Sequence, residues 1–139
     1  MSTSAPRTPG LPPALSCFLV EDSTLIRTNL IATMEEMLPL EVIAWADDEA
    51  GAVRWMSEHG ARCNLIIIDI FLKAGNGLEV LSHAGMLCPQ ARRVVLTNYA
   101  TVEIRSRCAG LGAHRLFDKS AELEELIDYC AQLAAELSA

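Results

Sequence analysis

Five polar residues of this 139-residue chain have the types needed for phosphoryl transfer: Glu21, Asp22, Asp69, Thr97 and Lys119. A carboxylate can attack phosphorus in line and form an acyl phosphate. Other carboxylates nearby can bind Mg²⁺, which prefers a few carboxylates together with water and a phosphate oxygen. A lysine and a hydroxyl can stabilise charge on the transferred group. This chemistry requires that the five side chains meet in one place.

Each of these residues also has an ordinary structural explanation when it is taken alone. Glu21 and Asp22 suit the N-terminus of a helix, and Asp69 can cap the loop that follows a strand. Thr97 suits a strand end, and most lysines, such as Lys119, are solvated at the surface. Their positions relative to the predicted strands therefore decide between the two interpretations.

The stretch around Asp69 predicts a buried strand. Four aliphatic residues, Leu65 to Ile68, run directly into Asp69, and Gly75 and Gly77 follow. A continuous aliphatic run is typical of a parallel strand that helices cover on both faces. Asp69 is then expected at the carboxyl end of that strand, where ligands collect in open parallel sheets.

The rest of the chain alternates strand and helix five times. Strands are predicted over 16–20, 41–46, 65–68, 92–97 and 116–117. Helices are predicted after Ser23, after Asp48, after Gly77, over 101–109 and from Ala121 to about Leu137. Short links between them predict a doubly wound parallel sheet with right-handed crossovers. The five polar residues then follow the first, third, fourth and fifth strands.

Convergence of three carboxylates has an electrostatic consequence. Glu21, Asp22 and Asp69 would repel one another and raise one another's pKa. A cation must neutralise them, and a hard divalent ion together with Lys119 fits that requirement.

Composition limits the class of protein. A net charge of −7 argues against non-specific binding to nucleic acid. The five scattered cysteines are odd in number and lack a Cys-x-x-Cys motif, so we expect a reducing, cytoplasmic compartment. No apolar run reaches the roughly 18–20 residues of a membrane span. Residues 1–14 are rich in proline and are expected to form a flexible tail, and 15–139 to form one domain.

In these five residues and their order, the chain resembles a response regulator receiver domain, of the single-domain kind found among chemotaxis regulators. The resemblance covers residues 16–137. The resemblance rests on Glu21-Asp22, on Asp-Ile-Phe-Leu-Lys-Ala-Gly-Asn-Gly from Asp69, and on Phe-Asp-Lys-Ser around Lys119. The 22 residues from Thr97 to Lys119 also fit that family. It implies a flavodoxin-like (βα)5 fold with strand order 2-1-3-4-5.

The resemblance also implies a function. Asp69 would accept a phosphoryl group from a histidine of a sensor kinase or phosphotransfer protein. Mg²⁺ would be held by the acidic pair, by Asp69 and by the main-chain carbonyl of Phe71. Such a receiver assists its own phosphorylation and hydrolysis without being an enzyme for other substrates, and it signals through protein–protein contacts. Only Ser138 and Ala139 follow Leu137, so we expect a stand-alone receiver.

The chain departs from the family pattern at several positions. Leu116 stands where an aromatic residue usually swings inward on activation, and Phe117 beside it would face the other way. Lys73 stands where proline is common. Asn98 follows Thr97, where a small residue is usual. Two bulky residues, Phe71 and Tyr99, are two positions beyond Asp69 and Thr97, and we hypothesise that they slow hydrolysis of the phosphoaspartate.

The charges near the C-terminus suggest an interaction surface. Six of the eleven basic residues lie between Arg92 and Lys119, whereas the last helix is acidic. The fourth helix, fifth strand and fifth helix could therefore form a symmetric homodimer or bind a partner protein. Solvated arginines that bind nothing are an equally good explanation.

The sequence leaves three other hypotheses about function open. A flavodoxin-like cofactor binder would need a phosphate-cradling loop after the first strand, where this chain has Glu21-Asp22. A phosphatase with an aspartyl nucleophile would carry Asp-x-Asp there. A degenerate receiver would share the fold without accepting phosphate, and would act as a binding module.

Overall fold

The computed structural model describes residues 13–138, which form a parallel sheet with helices on both faces. The strands are β1 Leu15–Val20, β2 Leu40–Ala46, β3 Leu65–Ile68, β4 Arg92–Thr97 and β5 Arg115–Asp118. The helices are α1 Thr24–Met37, α2 Glu49–His59, α3 Gly77–Leu87, α4 Val102–Gly110 and α5 Leu123–Ser138, and a short 3₁₀ helix covers Gly60–Arg62. The strand order is β2-β1-β3-β4-β5, which confirms the predicted topology.

The central strand β3 shows why an unbroken aliphatic run is needed. All four of its residues are inaccessible to solvent. Leu65 and Ile67 pack into the core beneath α1 and α5, whereas Ile66 and Ile68 pack into the core beneath α2, α3 and α4. Side chains alternate between the faces of a strand, so both faces of β3 must be apolar. Asp69 therefore directly follows the central strand of the sheet.

Side-chain caps begin four of the helices. The side chains of Ser23, Asp48, Asn76 and Thr101 accept backbone N–H groups at the starts of α1, α2, α3 and α4. The start of α5 differs from the sequence prediction, because the helix begins at Leu123 and not at Ala121. A carboxylate oxygen of Asp118 accepts the N–H groups of Ser120 and Ala121, and this turn delays the helix.

Three other sequence expectations concern the N-terminal tail, membrane spans and the cysteines. The tail predicted for 1–14 lies outside the described residues except for Pro13 and Ala14. No helix within 13–138 combines the length and apolar character needed to cross a membrane. All five cysteines are buried, and none forms a disulfide.

Candidate functional site

The sheet brings the predicted residues to its carboxyl edge. Val20 pairs with Ile68, and the N–H of Asp69 donates to the carbonyl of Val20 at 2.9 Å. Thr97, the last residue of β4, pairs with Asp118 on β5. The N–H of Lys119 then donates to the Thr97 carbonyl at 2.9 Å. Parallel pairing therefore places residues from four separate segments beside one another.

The three acidic residues form one cluster. Each of Glu21, Asp22 and Asp69 offers a carboxylate oxygen, and these oxygens lie within 4.8 Å of one another. Glu21 is 2% exposed and Asp69 is 7% exposed. Oxygen ligands on opposite sides of one Mg²⁺ or Ca²⁺ ion lie about 4–5 Å apart. The donor set and its spacing therefore fit a single hard divalent cation.

Lys119 bridges two members of this acidic cluster. Its Nζ lies 2.5 Å from Oε1 of Glu21 and 2.9 Å from Oδ2 of Asp69. Three carboxylates and one ammonium carry a formal charge of −2, which is the charge that a divalent cation neutralises. The predicted convergence of these four residues is therefore present in the structure.

The pKa of Asp69 is raised, as the sequence predicts for crowded carboxylates, but repulsion is not the main reason. Burial is the largest cause, and the charge of Glu21 adds to it. The hydrogen bond and charge of Lys119 and the Phe71 N–H act in the opposite direction. For Lys119, burial would lower the pKa, but its bonds to Glu21 and Asp69 outweigh burial and raise it.

Thr97 ends β4, and two aromatic residues lie in the segments that follow β3 and β4 at the carboxyl edge. Thr97 is fully buried, and its hydroxyl oxygen accepts the N–H of Tyr99 at 3.1 Å. The N–H of Phe71 donates to Oδ1 of Asp69 at 3.2 Å. The rings of Phe71 and Tyr99 meet edge to face, with centroids 4.7 Å apart, and about half of each residue is exposed. The two residues that the sequence singled out as bulky therefore contact each other.

Leu116 and Phe117 point to opposite faces of β5, as predicted. Phe117 is buried in the core beneath α1 and α5. Leu116 is partly buried and packs against the other core. The position at which the family usually has an aromatic switch therefore holds a smaller aliphatic side chain.

Sequence reasoning missed Arg27, a buried residue that contacts the acidic pair. Arg27 is 7% exposed, and its guanidinium donates to the carbonyl of Glu21 at 2.9 Å. The guanidinium carbon lies 3.7 Å from the ring centre of Trp45, a cation–π geometry. Helical spacing could have indicated that Arg27 is buried, because it is three residues before Leu30 and so lies on the same face of α1.

The family model described as "Response regulator receiver domain" matches residues 17–131. The chain belongs to the response regulator receiver family. A curated relative, the photosynthetic apparatus regulatory protein RegA of Rhodobacter capsulatus, is 30% identical over 111 residues. That match covers 80% of this chain but 58% of RegA, so the chain spans less than two thirds of that relative's length.

Solved receiver structures share the fold. A LuxR-family two-component response regulator from Aurantimonas sp. SI85-9A1 has a TM-score of 0.78 at 22% identity. The match covers 88% of this chain and 86% of the Aurantimonas chain. A response regulator from Burkholderia pseudomallei, solved with a phosphorylated aspartic acid, a calcium ion and citrate, has a TM-score of 0.71 at 23% identity. The match covers 88% of this chain and 71% of the Burkholderia chain.

Membership places this receiver in two-component signalling. Receivers are signalling phosphoacceptor domains that interact with kinases, phosphotransfer proteins and other regulators. They typically bind Mg²⁺ at an acidic site, and this chain has such a cluster in Glu21, Asp22 and Asp69.

Proposed function

We propose that Asp69 of this receiver accepts a phosphoryl group from a phosphohistidine on a sensor kinase or phosphotransfer protein. The observation that carries the proposal is the Lys119 bridge to Asp69 and Glu21, beside Asp22. A residue that only caps a loop does not require a largely covered lysine from the end of another strand, or two further carboxylates. A site for an acyl phosphate needs both.

The chemistry follows from the positions of these groups. A carboxylate oxygen of Asp69 attacks phosphorus, a P–O bond forms, and the P–N bond to the donor histidine breaks. The leaving imidazole takes the bonding electron pair and then a proton. Lys119 exchanges its bond to the attacking carboxylate for one to a phosphoryl oxygen, and the Thr97 hydroxyl donates to another.

A divalent ion completes the proposed site. Glu21, Asp22, Asp69 and the main-chain carbonyl of Phe71 would hold Mg²⁺, which would stabilise charge on the phosphoryl oxygens. Burial and the charge of Glu21 raise the pKa of Asp69 even though Lys119 is close, so a divalent cation at this site would favour the ionised carboxylate further. The calcium ion in the phosphorylated Burkholderia regulator supports the choice of a hard divalent cation.

We propose that the signal leaves through α4, β5 and α5, by contact with another protein or with a second copy. Arg105 on α4 donates to the carbonyl of Leu116 on β5 at 3.4 Å and to Glu122 before α5 at 3.1 Å. Movement of α4 would therefore be transmitted to β5 and α5 without an aromatic residue at position 116. Part of the basic charge on this face is already engaged within the chain, because Arg105 pairs with Glu122 and Arg115 lies over the rings of Phe117 and Tyr129. We propose that Arg107 contacts the partner.

We further propose a non-enzymatic role and a cytoplasmic location for the chain. The chain acts as a phosphoacceptor and not as an enzyme for other substrates, because its nucleophile would be its own substrate. The five cysteines, none of which forms a disulfide, support a reducing, cytoplasmic compartment. The carboxylates at the carboxyl edge disfavour a flavodoxin-like cofactor site, since they would repel a phosphate group without a metal.

The test is phosphorylation by a small-molecule phosphodonor such as acetyl phosphate, with and without Mg²⁺. We expect the wild-type protein to gain one phosphoryl group only with Mg²⁺. A protein that stays unmodified would retain the receiver fold but would be a degenerate receiver.

A further inference from the structure

The loop between Asp69 and α3 is tied to two earlier parts of the chain. The N–H of Lys73 donates to Oδ2 of Asp22 at 2.6 Å. The N–H of Asn76 donates to Oε1 of Glu49 at 2.9 Å, and the N–H of Glu49 donates to the carbonyl of Ala74 at 3.2 Å. One attachment therefore reaches the acidic cluster and the other reaches the first residue of α2.

Glu49 fits closely against this loop. Gly75 has φ +88°, a conformation that favours glycine, and a Cβ added there would lie 2.3 Å from Cβ of Glu49. A glutamate in the first turn of a helix is usually explained by the helix dipole alone. Here its carboxylate accepts a backbone N–H from a residue 27 positions later. Glu49 therefore sets where the second half of the loop lies.

The first half of the loop fixes two carboxylates of the site. The N–H of Phe71 donates to Oδ1 of Asp69, and the N–H of Lys73 donates to Oδ2 of Asp22. The second bond depends on Lys73 not being proline, because proline has no N–H to donate. A shift of the loop would therefore move or release two of the three acidic side chains.

We propose that Glu49 is a positioning residue for the divalent cation: it anchors the loop whose N–H groups orient Asp22 and Asp69. This inference rests on the proposed function of the site, since it concerns the same cation. Glu49 itself belongs to α2 and bonds the loop, not the cluster, so it acts through the backbone of Lys73 and Asn76.

The test is a Mg²⁺ titration of the wild-type protein, Glu49→Ala and Glu49→Gln, followed by calorimetry and by the NMR signals of the Lys73 and Asn76 amides. Glu49→Ala is expected to weaken Mg²⁺ binding about three- to tenfold, the effect of losing one hydrogen bond that orders a loop. Glu49→Gln is expected to restore most of the affinity, because its amide oxygen still accepts the Asn76 N–H. Equal affinity of Glu49→Ala and wild type, or equal weakening by both variants, would overturn the positioning role.

A second pair of variants examines the other attachment. Lys73→Pro removes the N–H that Asp22 accepts, whereas Lys73→Ala removes only the side chain beyond Cβ. Lys73→Pro is expected to bind Mg²⁺ more weakly than Lys73→Ala. Equal binding by the two would contradict the proposed role of the loop.

Hydrogen exchange measured without metal tests the anchoring of the loop independently of cation binding. Glu49→Ala should lose protection at the Lys73 amide while the amides of β3 remain protected, and unchanged protection would count against the proposal. Failure of the proposed function looks different from failure of this inference. Wild-type protein that binds no Mg²⁺ overturns both, whereas tight binding by both wild type and Glu49→Ala overturns only the role of Glu49.

Discussion

The ammonium of Lys119 lies 2.9 Å from the carboxylate of Asp69, although the two residues are 50 positions apart. The same ammonium also contacts Glu21, so one cation holds two of the three acidic side chains. This arrangement neutralises the proposed nucleophile while no phosphate is present. It also places the lysine where a phosphoryl oxygen would arrive.

Replacement of Lys119 should separate metal binding from phosphoryl transfer. Lys119→Met removes a donor to the developing charge, so transfer from a small phosphodonor should slow by about 10²–10³-fold. Mg²⁺ should bind at least as tightly, because the ammonium that competes for Glu21 and Asp69 is gone. Arg54→Met, at an exposed position on α2, is the control. Transfer at the wild-type rate in Lys119→Met would exclude the lysine from the reaction.

The raised pKa of Asp69 predicts a pH-dependent cost to stability. Unfolded, this carboxyl titrates near its ordinary value of 3.8, whereas burial in the folded protein favours the protonated form. Its contribution to stability is therefore full below that value and is lost as pH rises through the higher folded pKa. Without divalent ions, Asp69→Asn should unfold at a higher temperature than wild type at pH 7.

The comparison should be repeated as the pH is lowered. The difference in unfolding temperature should shrink as the pH approaches the ordinary carboxyl value. Asp128→Asn, an exposed position on α5, controls for the loss of any one carboxylate. A difference that stays constant with pH would contradict the raised pKa.

The contact between Phe71 and Tyr99 predicts a long-lived phosphoaspartate. The ring centroids lie 4.7 Å apart, and the backbone N–H of Phe71 donates to the Asp69 carboxylate, so we expect the two rings to limit the access of water to the acyl phosphate. Replacing both with alanine should shorten the half-life of the phosphorylated protein several-fold, measured after the phosphodonor is removed. Met86→Ala, at an exposed position on α3, is the control. An unchanged half-life in the double variant would sink the idea that these rings exclude water.

Two glycines of α3 provide a matched pair for the close approach behind Asp69. A Cβ at Gly77 would lie 2.1 Å from the carbonyl oxygen of Asp69, whereas one at Gly85 would meet nothing within 4 Å. Gly77→Ala should destabilise the protein by about 1–3 kcal/mol, because the backbone must move. Gly85→Ala should stabilise it by about 0.5–1 kcal/mol, because alanine is the better helix former. Equal changes in the free energy of unfolding for the two variants, measured by denaturant titration, would contradict a close backbone contact at Gly77.

The fold could be predicted because its signals are local. The aliphatic run before Asp69 and the alternation of strand and helix together require a parallel sheet. The polar residues at the strand ends then had to meet, since parallel strands end at one edge. The position of α5 was less accurate, because a side chain, Asp118, delays the helix through a turn that the apolar pattern does not record.

The supporting residues could not be predicted in the same way. Arg27 and Glu49 look like ordinary helix polar residues, and their roles depend on backbone groups that come close only in the folded chain. The departure at Lys73 was visible in the sequence, but its consequence was not. Its N–H bonds a carboxylate 51 positions earlier, and no local pattern indicates that contact.

The role of Asp69 as phosphoacceptor is tested by locating the phosphoryl group. The wild-type protein and Asp69→Asn are incubated with acetyl phosphate and Mg²⁺, and borohydride then reduces any acyl phosphate before peptide mass spectrometry. We expect reduction to convert Asp69 to homoserine in the wild-type protein, and we expect Asp69→Asn to gain no phosphoryl group. Modification at another carboxylate, or equal modification of both proteins, would contradict the assignment of Asp69 as the phosphoacceptor.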